Sequence, residues 1–118
     1  MSLNNVIHAD LVSGGVYRPG PETRVMIDNW SVREIMMGAE KTRHLCGTVG
    51  GEGRVCSPIQ DFDKQSMEFT TRSGKIYETI GWPSSGNNEA EFVWSKWCAI
   101  NGISNHEYED VTKEYIGE

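Results

Sequence analysis

His44, Cys46 and Cys56 are the residues of this chain whose types and spacing come closest to a reactive or metal-binding set. A His and two Cys drawn together across a hairpin supply three ligands for Zn²⁺, with water, His8 or His106 as a fourth. Their spacing differs from that of zinc modules, which offer paired C-x₂₋₄-C knuckles, and the plainer alternative is two half-buried thiols beside a solvent-facing His. The same three residues suit a thiol hydrolase, with Cys46 or Cys56 as nucleophile and His44 as base. Residues 44 and 46 share a strand face but lie about 7 Å apart at strand rise, too far for direct proton transfer without bending. Asp61 and Asp63 form a carboxylate pair of the kind used by glycosidases or hard cations. In an acidic chain such pairs, like Glu89/Glu91 and Glu107/Glu109/Asp110, are ordinarily a solvated face.

A different surface suits binding. Arg54 and Arg72 carry forked donors for a carboxylate or phosphate, while Tyr77 and Trp82 offer rigid contact area. If sheet curvature brings the outer faces of two hairpins to one cleft, these four residues form a small-ligand or peptide site. The alternative has Trp82 packed over a helix end and both arginines solvated.

The elements that must position these groups are mostly strands. Thirteen Gly against four Pro favours short strands and tight turns. Val6–Val12 reads as an edge strand and Thr23–Ile27 as a short strand, with a rigid turn at Tyr17–Pro21 between them. Ser31 and Glu34 match a capping box for a short helix to Met37, but the same residues also serve as a strand. Arg43–Val49 and Arg54–Phe62 flank Gly50-Gly51-Glu52-Gly53, the expected turn of a hairpin; it lacks the Lys and following helix of a phosphate loop. Placing Leu45, Val49, Val55 and Ile59 on one face centres the register on Gly51 and sets Cys46 opposite Cys56. In a second hairpin, Met67–Thr71 and Lys75–Ile80 join through Ser73-Gly74; Phe69 then faces Glu78, and Tyr77 falls on the non-core side. A helix spans 88–101, capped by Asn88, with Ala90, Val93, Trp94, Trp97, Cys98 and Ile100 as its apolar stripe and Gly102 beyond its end. Tyr108–Ile116 alternates weakly, as a last edge strand would.

At 118 residues the chain is expected to be one domain, 1–118. Its net charge of −6, with no Lys/Arg run, disfavours nucleic acid and anionic membrane surfaces as partners. No stretch approaches the roughly 18 apolar residues of a membrane span. The opening residues lack the charged and apolar regions of a signal peptide. Three cysteines without a C-x-x-C pair then point to reduced thiols in the cytoplasm.

One pattern joins these elements: Arg43-His44-Leu45-x-Gly47, Gly53-Arg54-Val55-x-Ser57-Pro58-Ile59 with Phe62-Asp63, Thr71-Arg72-Ser73-Gly74-x-x-Tyr77, Gly81-x-Pro83 and Val93-Trp94-x-x-Trp97. It resembles short uncharacterised bacterial orphan proteins of the mobile-element and integron-cassette type. The resemblance implies a bacterial, cytoplasmic protein and carries no activity with it. The expected fold is α+β: an antiparallel, strongly curved sheet (a half-barrel) of about five or six strands packed on one main C-terminal helix. The expected function is a non-enzymatic small-ligand or protein-binding module without a cofactor, able to form a homodimer because Phe92, Val93 and Trp94 widen the helix's apolar face. The alternative is a small metal-dependent or thiol hydrolase using the His44/Cys46/Cys56 face.

Overall fold

Between Arg24 and Met37 the sequence places Val25, Ile27, Trp30, Val32 and Ile35, residues that fit a pleated, half-buried surface better than a helix. In the computed structural model, which describes residues 10–12, 16–17, 23–104 and 106–116, this run is one 14-residue strand. The strands are β1 (Leu11–Val12), β2 (Val16–Tyr17), β3 (Arg24–Met37), β4 (Glu40–Val49), β5 (Glu52–Val55), β6 (Ile59–Asp63), β7 (Glu68–Thr71), β8 (Ile76–Thr79) and β9 (Glu109–Asp110). Helix α1 spans Asn88–Ile100, and a 3₁₀ turn covers Thr112–Glu114. The short helix allowed by Ser31 and Glu34 does not form. The remainder of the expected first strand and the Arg18–Pro21 turn lie outside the described residues.

The strands form one mixed sheet in the order β2-β1-β5-β4-β3-β8-β7-β6, with β9 added beside β3. Every pair is antiparallel except β3–β8. The fold class is therefore α+β, as expected, but the sheet is neither closed nor strongly curled and has more strands than expected, so the half-barrel is corrected to an open sheet.

One strand divides its work between two ladders. Val25 and Ile27 are odd-numbered, Trp30 and Val32 even, yet all four enter the same core. A bulge between Asp28 and Ser31, with Asn29 at φ 49°, inserts the residue that makes this possible. Asn is among the few side chains that tolerate this left-handed conformation. Thr48 holds the bulge by accepting from Asn29 Nδ2 at 3.0 Å and donating to the Asp28 carboxylate. Gly47 lies under it, where a Cβ would stand 2.6 Å from the Asp28 carbonyl oxygen.

Both hairpins differ from expectation by one residue of register, and a one-residue slip turns every side chain over. In β4–β5, Gly50 and Gly51 both have positive φ (60° and 86°), so the loop is two residues long. Cys46 faces Val55, not Cys56, and Thr48 faces Gly53. Leu45 and Val55 lie on opposite sides of the sheet and both are buried, because α1 covers one face and the β7–β8 hairpin with the C-terminal segment covers the other. The β7–β8 loop is three residues, with the Gly74 amide donating to Thr71 O at 2.9 Å and Gly74 at φ 93°. Phe69 consequently faces Tyr77, and both are core residues. The expected strand 54–62 is split, since Pro58 interrupts the ladder between β5 and β6.

The cap of helix α1 lies one residue earlier than expected. Asn87, not Asn88, is its cap, accepting from the Ala90 amide at 3.1 Å. Ala90, Val93, Trp94, Trp97 and Cys98 are buried, and Gly102 at φ 73° ends the helix with Ile103 N donating to Cys98 O at 2.9 Å. No helix among the described residues is long and apolar enough to cross a membrane.

Candidate functional site

His44 and Cys46 share a face of β4, as alternation requires, but that face is turned to α1. Cys46 donates to the Ala90 carbonyl at 3.4 Å, and His44 packs against the Trp97 ring with centroids 4.7 Å apart. Cys56 belongs to the core on the other side of the sheet, where its sulfur accepts from the Leu45 amide at 3.0 Å. The expected three-residue face is therefore corrected: one register step separates Cys56 from Cys46. Both ring nitrogens of His44 are occupied. Nδ1 lies 2.8 Å from the Cys56 carbonyl, to which it donates, so Nε2 accepts from the Thr42 hydroxyl at 2.8 Å. Burial lowers the His44 pKa to about 4 and pushes the Cys46 thiol up to about 12. Burial raises the Cys56 thiol as well. A neutral, saturated imidazole between protonated thiols is packing. Among the described residues no three His, Cys, Asp or Glu side chains converge on a metal position.

The four expected binding residues do not form one surface. Arg54 and Tyr77 meet inside the molecule around Asp10, where Tyr77 donates to Asp10 Oδ2 at 2.6 Å and Arg54 Nη1 lies 3.9 Å from the same oxygen. The Ser57 amide donates to Asp10 Oδ1 at 3.0 Å. All of these are buried, and burial, with the Asp10 charge, raises the Tyr77 pKa. Arg72 lies near the surface, paired with Glu40 at 2.9 Å. Trp82 stands elsewhere, alone. Asp61 and Asp63 are exposed on β6, each with one oxygen accepting a nearby backbone amide. Glu91 is drawn inward: it forks onto the buried Arg33, whose guanidinium lies 5.0 Å from the Trp94 ring centre and 4.6 Å from that of Tyr108. That contact lowers the Glu91 pKa.

Trp82 marks the cleft that sequence reading missed. On one edge of β3 the partner changes from β8, which ends at Thr79, to β9, which begins opposite Glu34. Two irregular segments cover the gap. The Ser84 amide donates to Trp30 O at 2.9 Å; the Val111 amide donates to Val32 O at 2.9 Å, and the Val32 amide donates to the Thr112 hydroxyl at 2.9 Å. Between these segments run two clefts that share Pro83 and Ile116. The apolar one, about 400 Å³, is lined by Trp30, Met67, Gly81 and Trp82. The more polar one, about 410 Å³, adds Ser31, Ser84, Ser85, Asp110, Thr112 and Lys113. The Trp30 indole pins the loop by donating to Gly81 O at 3.1 Å. Trp82 is 83 % exposed, against 1 % or less for the other three tryptophans. Its position in Gly81-Trp82-Pro83, remote from any apolar stripe, was the available signal; its neighbours come from sequence positions 30, 67 and 116 and carry none.

A third cleft, about 550 Å³, lies between the β3–β4 turn and residues 103–109, and includes Glu34, His106 and Glu107. Glu34 is already engaged by Arg43 at 2.8 Å and Lys41 at 3.8 Å. Comparison with known proteins finds no matching family, no similar curated protein and no similar solved structure.

Proposed function

We propose that this chain is a non-enzymatic binding module that takes a small ligand or a short protein segment in the seam beside β3, between the 81–85 loop and residues 110–116. The observation that carries this reading is Trp82: the one tryptophan left in water lies beside a cleft floored by another. A large aromatic held at the rim of an apolar recess is the form binding hot spots take, and the combined clefts have the size of ordinary ligand sites. The nucleophiles and the imidazole of the rival hydrolase reading are all enclosed, which also favours binding.

Titration with 3-phenylpropanol, followed by ¹H–¹⁵N spectra, tests this. Shifts are expected at the Trp30 indole N–H and the Met67, Gly81 and Ile116 amides, and Trp82→Ala removes them while the remaining spectrum is retained. Shifts confined to the cleft beside His106, or none, would overturn the reading. The bacterial, cytoplasmic, mobile-element setting belongs to the same proposal, supported by the residue pattern of 43–97 and by three free thiols. Of the residues expected to widen the apolar face of α1, Val93 and Trp94 are buried in the core and only Phe92 is exposed; homodimerisation is proposed through Phe92 with Ile100, and light scattering checks it.

A further inference from the structure

The seam has two halves of unlike chemistry, and we infer that its ligand is an amphipathic anion, with an aryl or acyl group in the Trp82 half and a carboxylate in the Lys113 half. The inference rests on the binding reading above and specifies the ligand class. In the apolar half, the Gly81 carbonyl is already taken by the Trp30 indole, so that half offers ring and side-chain carbon surface.

Three acceptors of the more polar half are already engaged. Asp110 Oδ1 accepts from both the Thr112 amide (3.0 Å) and its hydroxyl (2.5 Å). The Thr112 hydroxyl oxygen is in turn occupied by the Val32 amide. Ser31 Oγ accepts from Arg33 Nε at 3.2 Å. The lining also holds three donor-bearing residues, Ser84, Ser85 and Lys113, and one acceptor with no partner among the described residues, Asp110 Oδ2. Lys113 forms no ion pair with any described residue, although the chain carries a net charge of −6. A carboxylate accepts from these donors; an amine meets the ammonium as a like charge. The halves join at Pro83 and Ile116, so ring and head group sit on one short linker. Asp110 on the same wall limits the gain, and an exposed lysine contributes little in water.

Three probes of one skeleton test the inference: 3-phenylpropionate, 3-phenylpropanol and 3-phenylpropylamine, titrated against the intact chain and against Lys113→Gln. The carboxylate is expected to bind about five-fold more tightly than the alcohol, the amine more weakly than either, and Lys113→Gln to bring carboxylate and alcohol level. Raising the salt concentration narrows the same gap in the unmodified chain. Equal binding of all three at the Trp82 half would overturn the anion while leaving the binding reading standing. Tightest binding of the amine would give the head-group half to Asp110 and overturn it likewise. Binding of none overturns both.

Discussion

A buried imidazole with both nitrogens satisfied is stable only while it stays neutral. His44 has its pKa lowered to about 4 by burial, from an ordinary value of 6.5. The unfolded chain therefore takes up a proton at higher pH than the folded one. Stability is unaffected by His44 above about pH 7 and falls as pH drops through 6.5, a loss approaching about 3 kcal/mol near pH 4. Urea unfolding should show about 2 kcal/mol of this between pH 7.5 and 5, absent in His44→Gln. An equal slope in that variant would show the imidazole to be solvated. At this scale the sequence was legible in kind: it correctly placed residues 44 and 46 on one face. It did not tell which face was wet, because neither is.

That double burial is also why the elements were read well in type and poorly in register. Alternation decides a register when one side of a sheet meets water. Leu45 and Val55 are both apolar but serve opposite cores, so grouping them on one face moved Cys46 by one place. The glycines carried the better signal. Gly50-Gly51 is a two-residue hairpin dipeptide, and Gly47 and Gly53 mark close approaches. A Cβ at Gly53 would sit 2.3 Å from the Glu89 carbonyl oxygen, inside the backbone of α1. Gly53→Ala is expected to cost about 2–3 kcal/mol in thermal or urea unfolding, and Gly47→Ala a similar amount. Gly38→Ala, with φ 63° and open space around it, should cost about 1 kcal/mol. Equal costs at all three positions would contradict the packing of α1 on β5. The helix was the most legible element: its Gly102 end and five stripe residues, Ala90, Val93, Trp94, Trp97 and Cys98, are as expected, since a single covered face obeys the 3.6-residue period, while Ile100 is exposed rather than part of the stripe.

Across the whole molecule, β3 is the shared member: its first part pairs with β8, its later part with β4, and the C-terminal segment returns to its free edge. The candidate groove is the gap left where those partners change. Long-range topology of that kind has no local sequence pattern, so Trp82 was legible as a surface aromatic and its neighbours in the cleft were not. Trp82 faces solvent beside a cleft lined by Trp30, and the proposed binding depends on that arrangement. ¹⁹F spectra of the 5-fluorotryptophan protein measure this with one resonance for each of the four residues. One resonance, assigned by Trp82→Phe, should show the full H₂O/D₂O isotope shift, and 3-phenylpropionate should move it together with Trp30 and leave Trp94 and Trp97 in place. A buried Trp82 resonance, or a response confined to Trp94 and Trp97, would contradict the account.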